Sequence, residues 1–498
     1  MVGRRFTQGA VLKADKVLST LAISALSIPR TLKTARHPAD GKECGVRSAR
    51  KLGERPTAGF TAGARWGQLR PLVMHKFIAP QPILDRSERV YGYELLFRPG
   101  ERGVWPRQDG NDWESAGGIP DFQGVEEVTD GGRAFIKCPR PAWVGGAAAR
   151  LPRDRVVLEI PADLRPDEQL VAACRNLKDN GFVLALENYQ GEWQDTLAEL
   201  ADIIKLDVTA STDRARWLLI RKYQPRGTHF VAEKVDTRAQ FQAAAQQGFS
   251  HFQGQFFLRP QPMSAPDVAP TKLVYFRILQ LVTRQEINMP ELADTIKHDL
   301  ALSYKLLRFL NSAWFSFHSQ VKSIRHALLL LGENEIRKWI GMISVAALGE
   351  GAPPILVHMA LVRAAFCESL AALVGAEKRQ PDYYFLGLLS GIDVLMGRPM
   401  RLLLGELPIA ADISAALLGQ QGPVRDALQT ILSYEQGNWE EFSRLAGSLQ
   451  QREETLCELY LKALRWSGEL ARLEENKPAG VASEQSADSP PRIGRHNP

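Results

Sequence analysis

The chain has 498 residues and a formal net charge of +6, and its length suggests two or three domains. Residues 1–73 hold 14 Lys/Arg against 4 Asp/Glu, whereas the rest of the chain holds 48 against 52. The basic excess therefore gives no reason to expect nucleic-acid binding by the folded part. Outside that extension no apolar run reaches the roughly 18 residues of a membrane span. Five scattered cysteines without CxxC spacing predict free thiols in a reducing cytoplasm and exclude a disulfide framework or zinc site.

The extension, residues 1–73, is rich in Arg, Gly, Ala and Thr, and we predict that it is mostly disordered. Its one apolar run, Leu18–Ile28, is too short to cross a membrane, and no small-residue cleavage pattern follows it. Met74 begins the segment MHKFIAPQPIL and is an alternative start of the protein.

From about residue 75 to 262, short apolar runs alternate with helical patterns, which indicates a parallel α/β barrel. Two strands, Phe77–Ile83 and Val90–Phe97, come first, and a loop rich in Gly, Pro and Asp follows them. The helical patterns then cover residues 167–180, 196–201, 212–222 and 238–248. Because about 190 residues is short for a barrel of ~250, we expect a lost helix or a weakened strand.

The stretch Gly181–Asp207 is the clearest βαβ unit. Its first strand stops at Glu187 and Asn188, and its second contains Lys205 and ends at Asp207. Four other short strands carry a charged residue at a similar point, namely Glu94, Lys137, Glu159 and Glu233. Since functional groups of parallel barrels lie where strands end, we predict that these side chains share one mouth.

Six segments in fixed order resemble the EAL domain, the barrel family that hydrolyses cyclic di-GMP with two metal ions. They are YELLFR, LEIPADL, LALENYQG, IIKLDV, VAEKVDT and FQGQFFLRP, between about Phe77 and Pro260. The resemblance implies that metal-ligand positions are kept at Glu94, Glu159 and Glu233. It also implies that Lys205 is the active-site lysine and Gln253 the late glutamine of the family.

The departures from the EAL pattern fall at the implied metal site. The family's asparagine ligand corresponds to Lys137, its paired aspartates to Glu187 and Asn188, and its second acid after LEI to Ala162. A loop expected to read like DFGTGYSSL is NYQGEWQDTL. We interpret the mouth as self-neutralising, so that no residue is catalytic, no metal is bound and no cofactor is needed. The remnant ligand positions would be Glu94, Glu159, Glu187 and Glu233. In this interpretation Glu94, Glu159 and Glu233 pair with Lys137, Lys205 and Lys234.

Residues 271–467 read as almost entirely helical, with apolar positions three and four residues apart. The runs LADTIKHDLALSYKLLRFLNSAWF and SIRHALLLLGENEIRKWI resemble the HDOD domain, a helical relative of the HD metal-dependent phosphohydrolases. Ser390 and Gly391 stand where an HD enzyme carries its metal-binding pair.

Three lone or paired histidines of this segment are interpreted as structural. In His298-Asp299 the aspartate is a predicted helix N-cap rather than a metal ligand, and we expect no metal at His326 or His358. The last residues, 474–498, are rich in Ser, Pro, Ala and Glu, and we predict that they are disordered.

An EAL-like barrel followed by an HDOD bundle is typical of a bacterial two-domain signalling family. The preferred interpretation is a non-catalytic, cytoplasmic module, not an enzyme, in which both domains dock regulatory protein partners. The alternatives are a cyclic di-GMP receptor without hydrolysis, and a weak cyclic di-GMP phosphodiesterase that would use Mg²⁺ or Mn²⁺.

We also expect the two domains to touch, because the linker 263–270 is short and contains two prolines. The run Phe252–Leu258 reads as a strand with Phe256 and Phe257 on opposite faces, one of them towards the bundle. The hypothesis is that the barrel mouth biases the relative pose of the bundle, which is the output surface.

Overall fold

The structure is a computed structural model, and it describes most of the chain between Ile78 and Glu475. The described residues are 78–98, 125, 126, 128, 129, 131–259, 269–299, 302–304, 306, 307, 311, 321 and 323–475. The prediction of disorder for residues 1–73 lies outside these residues. The prediction for residues 474–498 is wrong for Glu474 and Glu475, which end the last helix, and otherwise lies outside them.

Eight strands close into one barrel in chain order, so the expected barrel is confirmed. β1 is antiparallel to both β2 and β8, and every other neighbouring pair is parallel. The strands are β1 Ile78–Asp85, β2 Val90–Phe97, β3 Arg133–Lys137, β4 Val156–Ile160, β5 Val183–Glu187, β6 Ile203–Asp207, β7 His229–Glu233 and β8 His251–Phe252. With only two residues, β8 is the weakened strand that the short domain predicts.

The strands are apolar because both of their faces are covered. Inside the barrel, one layer of side chains packs together, formed by Ile83, Phe135, Val157, Ala185, Ile203 and Val231. Outside it, five helices follow strands: α1 Arg140–Val144, α2 Glu168–Asp179, α3 Asp195–Leu200, α4 Asp213–Tyr223 and α5 Arg238–Gln247. Asp167 caps α2 by accepting from the Leu170 amide, and Thr237 and Gln240 form a capping box on α5.

The segment after β8 differs from the prediction of a strand through Leu258. Gly254 has a φ of +147°, and a Cβ there would lie 2.2 Å from the Val235 carbonyl oxygen. The chain therefore turns, and Phe256–Leu258 form a short 3₁₀ helix. Phe256 stacks on Phe241 of α5 with ring centroids 4.6 Å apart. The expectation of two phenylalanines on opposite faces of a strand is wrong, because this glycine ends the strand.

The rest of the described chain is helical, as predicted. Its helices are α6 Pro270–Val282, α7 Met289–His298, α8 Ile324–Leu331, α9 Glu333–Leu348, α10 Pro354–Leu373, α11 Gln380–Leu388, α12 Ile392–Met396, α13 Met400–Glu406, α14 Ala411–Leu417, α15 Pro423–Glu435, α16 Trp439–Ser448 and α17 Glu453–Glu475. In the described residues, α10 alone is long and apolar enough to cross a membrane, and 67% of its most apolar window is buried inside the protein. That burial is typical of the core helix of a bundle.

Two helical glycines provide a matched test of close packing in the bundle. A Cβ on Gly387 of α11 would lie 2.2 Å from the carbonyl oxygen of Arg363, whereas a Cβ on Gly405 of α13 would meet nothing within 4 Å. We expect Gly387→Ala to lower the free energy of unfolding by more than about 2 kcal/mol through overpacking. Gly405→Ala should raise it by about 0.5–1 kcal/mol, because alanine restricts the unfolded chain. Chemical denaturation measures both, and equal effects would contradict the packing.

A buried histidine at the end of the barrel opposite the strand C-termini predicts acid sensitivity. The His251 ring lies 4.0 Å from that of Tyr91 and 5.9 Å from that of His229. Burial, helped by His229, lowers the pKa of His251 from 6.5 to about 4. Because the folded state resists protonation, stability should be lost as the pH falls from 6.5 to 4, by about 3 kcal/mol for this group.

The measurement is urea unfolding at a series of pH values. His251→Gln should remove this loss, whereas His298→Gln, at an exposed histidine, should leave the curve of the wild type unchanged. A His251→Gln curve parallel to that of the wild type would show that this histidine is not the sensitive group.

Candidate functional site

The C-terminal ends of the parallel strands carry the polar residues predicted there, and we call this end of the barrel the mouth. Strand pairing places Lys137 beside Glu159, Glu187 beside Lys205, and Asp207 beside Glu233. Glu94 of β2 and Gln253, which follows β8, complete the set. The prediction of one shared mouth is confirmed for these side chains.

Lys205 lies at the centre of the mouth with a fully buried side chain. Its Nζ donates to Glu94 Oε2 at 2.7 Å and to Glu159 Oε1 at 2.7 Å. A third carboxylate oxygen, Glu233 Oε1, lies 2.8 Å from the same nitrogen. One ammonium group therefore uses its three donors on three carboxylates from three different strands.

Gln253 adds a fourth polar contact to this cluster. Its Nε2 donates to Glu94 Oε2 at 2.7 Å and also to Gln81 Oε1 on β1. Glu159 Oε2 and Gln253 Oε1 are buried acceptors without a hydrogen-bond partner among the described residues. The cluster therefore retains acceptor capacity that the protein does not satisfy.

The cluster holds three carboxyl groups against one ammonium group, and the pKa values reflect this imbalance. Burial raises the pKa of Glu159 to about 8, with a further contribution from Glu94, and Lys205 offsets this only in part. Burial also raises the pKa of Glu233. For Glu94, burial is outweighed by Lys205 and Gln253, and the pKa is lowered. The three carboxylates outweigh burial at Lys205 and raise its pKa, so the lysine is charged.

The other two lysines of the mouth pair with different acids from those predicted. Lys137 Nζ lies 2.6 Å from Glu187 Oε1, and Lys234 Nζ lies 2.7 Å from Asp207 Oδ2. We expected Lys137, Lys205 and Lys234 together to neutralise Glu94, Glu159 and Glu233. Lys205 contacts all three acids, as expected. The assignment is wrong for Lys137 and Lys234, because strand register places Glu187 and Asp207 within reach of these two lysines.

Two residues at the mouth have left-handed backbone conformations. Asn188, with a φ of +42°, follows Glu187, and Lys234, with a φ of +57°, follows Glu233. Asparagine tolerates this region, but for lysine it is uncommon and marks a locally strained position. The Asn188 amide donates to the Lys205 carbonyl at 2.9 Å, so Asn188 contributes its backbone to the site.

The loop that replaces the family's DFGTGYSSL segment is tied to the barrel wall. Tyr189 Oη and Tyr223 Oη both donate to Asp195 Oδ1, at 2.7 and 2.6 Å, and Lys222 Nζ donates to Asp195 Oδ2 at 2.6 Å. Buried Gln194 also donates to the Ala162 carbonyl at 3.1 Å. The sequence analysis missed this network, because Asp195 and its partners are separated along the chain and have no motif of their own.

The EAL resemblance implies two divalent metal ions, and the donor groups as arranged do not fit them. Each of Glu94, Glu159 and Glu233 already contacts the Lys205 ammonium, and Lys137 puts a second cation where the resemblance implies a ligand. Within the described residues, no group of three or more His, Cys, Asp or Glu side chains has the arrangement of a metal site.

In the bundle, Ser390 lies against a buried ion pair. Arg363 Nη1 donates to Ser390 Oγ at 3.2 Å, and Arg363 Nη2 lies 2.6 Å from Glu435 Oε2. Burial raises the pKa of Glu435 despite this arginine. A guanidinium therefore lies beside the position that corresponds to the HD metal-binding pair. The sequence analysis missed this ion pair, because Arg363 and Glu435 lie 72 residues apart and neither belongs to a recognisable motif.

The histidine positions singled out in the bundle make hydrogen bonds within the protein. Asp299 Oδ1 accepts from the Leu302 amide at 2.9 Å, as an N-cap does. His326 lies in the first turn of α8, where its amide donates to Ser323 Oγ, and His358 Nδ1 lies 3.1 Å from Ser467 Oγ.

Known proteins are similar to this chain in the bundle alone and over the barrel and the bundle together. The HDOD domain family matches residues 269–398. Uncharacterized protein YuxH of Bacillus subtilis is 33% identical over 405 residues, which are 79% of this chain and 98% of YuxH. Cyclic di-GMP phosphodiesterase CdgJ of Vibrio cholerae is 29% identical over 404 residues, which are 80% of this chain and 93% of CdgJ.

Among solved structures, the Bacillus subtilis YkuI protein, with an EAL domain and in complex with c-di-GMP and calcium, is 18% identical. That match covers 44% of this chain and 71% of YkuI with a TM-score of 0.31.

A closed barrel with acidic strand ends, joined to an HDOD bundle, defines the class of EAL–HDOD proteins. This chain belongs to that bacterial two-domain signalling family, as its match to nearly the whole of YuxH and CdgJ shows.

The expectation that the chain is not an enzyme is contradicted by this relationship. CdgJ, which the chain matches over 93% of its length, is named a cyclic di-GMP phosphodiesterase. Our expectation relied on residue types at Lys137, Glu187 and Asn188, and changes of ligand type do not by themselves establish that a site is inactive.

The two lysines of the mouth predict very different mutational effects. Lys205→Met would leave buried carboxylates without their ammonium, which typically costs about 3–5 kcal/mol at neutral pH. Lys137→Met should cost less than about 1 kcal/mol, because the Lys137 side chain is 47% exposed. Urea unfolding measures both.

The loss in Lys205→Met should shrink as the pH falls towards 5, because protonation then removes the carboxylate charges. An equal cost for both substitutions at neutral pH would show that Lys205 does not hold the cluster.

Proposed function

We propose that the mouth of the barrel binds cyclic di-GMP and that the chain acts in cyclic di-GMP signalling in the cytoplasm. The observation that carries the proposal is the set of ammonium groups among the strand-end acids, with Lys205 at its centre and Lys137 at its exposed edge. The family supports it as well, because one relative over nearly its whole length is named a cyclic di-GMP phosphodiesterase.

A phosphate that binds at this mouth is repelled by the negative charge of the carboxylates there. Protonation reduces the negative charge, because burial raises the pKa of Glu159 to about 8 and also raises that of Glu233. Lys137 is an accessible cation, with 47% of its side chain exposed. Its exposed pair with Glu187 is weak enough for a phosphodiester to replace the carboxylate as partner.

We further propose that binding needs no divalent metal. Lys137 would contact the negatively charged phosphodiesters directly. Lys205 would attract them electrostatically from the interior of the barrel without contacting them. Support comes from the position of these lysines. Lys137 lies where the resemblance implies a metal ligand, and Lys205 contacts the three acids that the resemblance implies as the other ligands.

Calorimetry with cyclic di-GMP in the presence of EDTA tests this proposal. We expect saturable binding by the wild type and about tenfold weaker binding by Lys137→Gln, a loss of about 1.4 kcal/mol for one charged contact. Lys178→Gln is the matched control, because Lys178 forms an ion pair with Asp202 at the opposite end of β6. Absence of binding by the wild type, with and without Mg²⁺, would overturn the proposal.

A second candidate function is hydrolysis of cyclic di-GMP, which the name of CdgJ favours. Four glutamates converge on the mouth, and Glu159 Oε2 is a buried acceptor without a partner in the described structure. Product formation with Mg²⁺ or Mn²⁺ should then be measurable and should be lost in Glu94→Gln. Equal rates for the wild type and this variant would exclude hydrolysis at this site.

The bundle is proposed as the surface that docks regulatory protein partners. Its support is the family architecture, in which the HDOD bundle follows the barrel over nearly the full length of two relatives. Capture of the same partner by the wild type and by a Glu159→Ala, Glu233→Ala double variant, with unchanged affinity, would show that the mouth does not influence docking.

A further inference from the structure

The bundle contacts the barrel along β1 and β2, and the closest contacts lie at the mouth end of these strands. Tyr434 Oη, at the end of α15, donates to the Ile78 carbonyl at 2.9 Å. Ile78 pairs with Phe97 at the C-terminal end of β2, which is the end that faces the mouth. This hydrogen bond therefore lies at the rim of the barrel mouth.

Two further contacts lie at the end of β2. Gly437, which follows α15, packs so closely that a Cβ there would lie 2.8 Å from Leu96 Cδ1. Just beyond β2, Arg98 forms an ion pair with Glu453 of α17 and donates to Ser443 Oγ of α16 at 3.1 Å. Three bundle helices thus hold one short segment of the barrel rim.

The geometry of β2 connects this segment with the mouth cluster. Residues two apart on a strand share a face, so Leu96 lies on the same face as Glu94, which contacts Lys205. On the opposite face, Tyr93 lines a cavity of about 40 Å³ together with Glu435 and Tyr460 of the bundle. This volume is enough for a few water molecules and not for a nucleotide. Both faces of the end of β2 are therefore covered by the bundle.

We propose that the docked bundle is an autoinhibitory contact: it narrows the mouth at the end of β2, and cyclic di-GMP binding competes with docking. The proposal rests on the proposed function of the mouth. A ligand seated over Glu94 and Lys205 shares the β2 rim with Gly437 and Glu453. Binding would loosen these contacts, and release of the bundle would open the mouth.

Two substitutions disturb the contact in different ways. Glu453→Gln removes the ion pair with Arg98, whose two side chains are 28% and 25% exposed. Gly437→Ala, at a φ of +66°, would push against Leu96. The matched controls are Glu441→Gln, which removes the exposed pair with Arg444 inside α16, and Gly375→Ala, at a φ of +74° with nothing within 4 Å.

The experiment combines calorimetry with cyclic di-GMP and amide hydrogen exchange of the full chain. We expect about fivefold tighter binding by Glu453→Gln and Gly437→Ala, with faster exchange in residues 437–453, and no change in either control. Adding nucleotide to the wild type should also speed exchange in residues 437–453.

The outcomes separate the two proposals. Faster exchange in both variants with unchanged affinity would overturn autoinhibition and leave nucleotide binding intact. Unchanged exchange in both variants would show that these contacts do not hold the bundle, and it would also overturn the inference. If neither the wild type nor any variant binds the nucleotide, the proposed function fails and the inference fails with it.

Discussion

The Lys205 ammonium and its three carboxylates are the interaction on which the barrel mouth depends. A cation buried this deeply is stable only when its charge and its donors are all satisfied. Glu94, Glu159 and Glu233 satisfy them from β2, β4 and β7, so the ion cluster connects strands that are not neighbours. The cluster therefore constrains the barrel and the site together, and a change in one carboxylate is felt by the whole mouth.

This constraint explains why the outer pairs of the mouth are arranged as they are. Because Lys205 occupies the centre, Lys137 and Lys234 remain at the edge and pair with the acids at neighbouring strand ends. The inner charges are buried and fixed, whereas the two outer lysines are exposed to solvent and can exchange partners. A ligand arriving from solvent meets the exchangeable pairs first, which is why the accessible Lys137 and not Lys205 carries the proposed phosphate contact.

The sequence predicted the strand-end residues well because the physical signal was local. A charged residue inside or directly after a short apolar strand is expensive unless several such residues meet, so Glu94, Glu159, Lys205 and Glu233 indicated one mouth. The partners within that mouth were not predictable in the same way. They depend on the register between strands and on side-chain reach, which the spacing of residues along the chain does not contain.

Features that depend on contacts between distant segments were missed or predicted wrongly. Gly254 ends the strand after β8 because the Val235 carbonyl leaves no room for a side chain, and nothing near Gly254 in the sequence indicates that neighbour. The Asp195 network and the Arg363–Glu435 pair are likewise assembled by tertiary packing. The linker correctly suggested that the domains touch, but it carried no information about which surfaces meet.

Each of the two domains contains a buried cation that is paired with carboxylate groups. In the barrel, the Lys205 ammonium is surrounded by the three carboxylates that the EAL resemblance implies as metal ligands. In the bundle, the Arg363 guanidinium lies between Glu435 and Ser390, at the position that corresponds to the HD metal-binding pair. Buried ion pairs contribute little net stability compared with apolar packing, so stability alone is a weak reason to keep them.

Glu435 also lines the cavity between the domains. It directly follows Tyr434, which donates a hydrogen bond to β1. The buried cation of the bundle therefore lies behind the surface that holds the barrel rim, and the two charge clusters are separated by β2 and its contacts with the bundle.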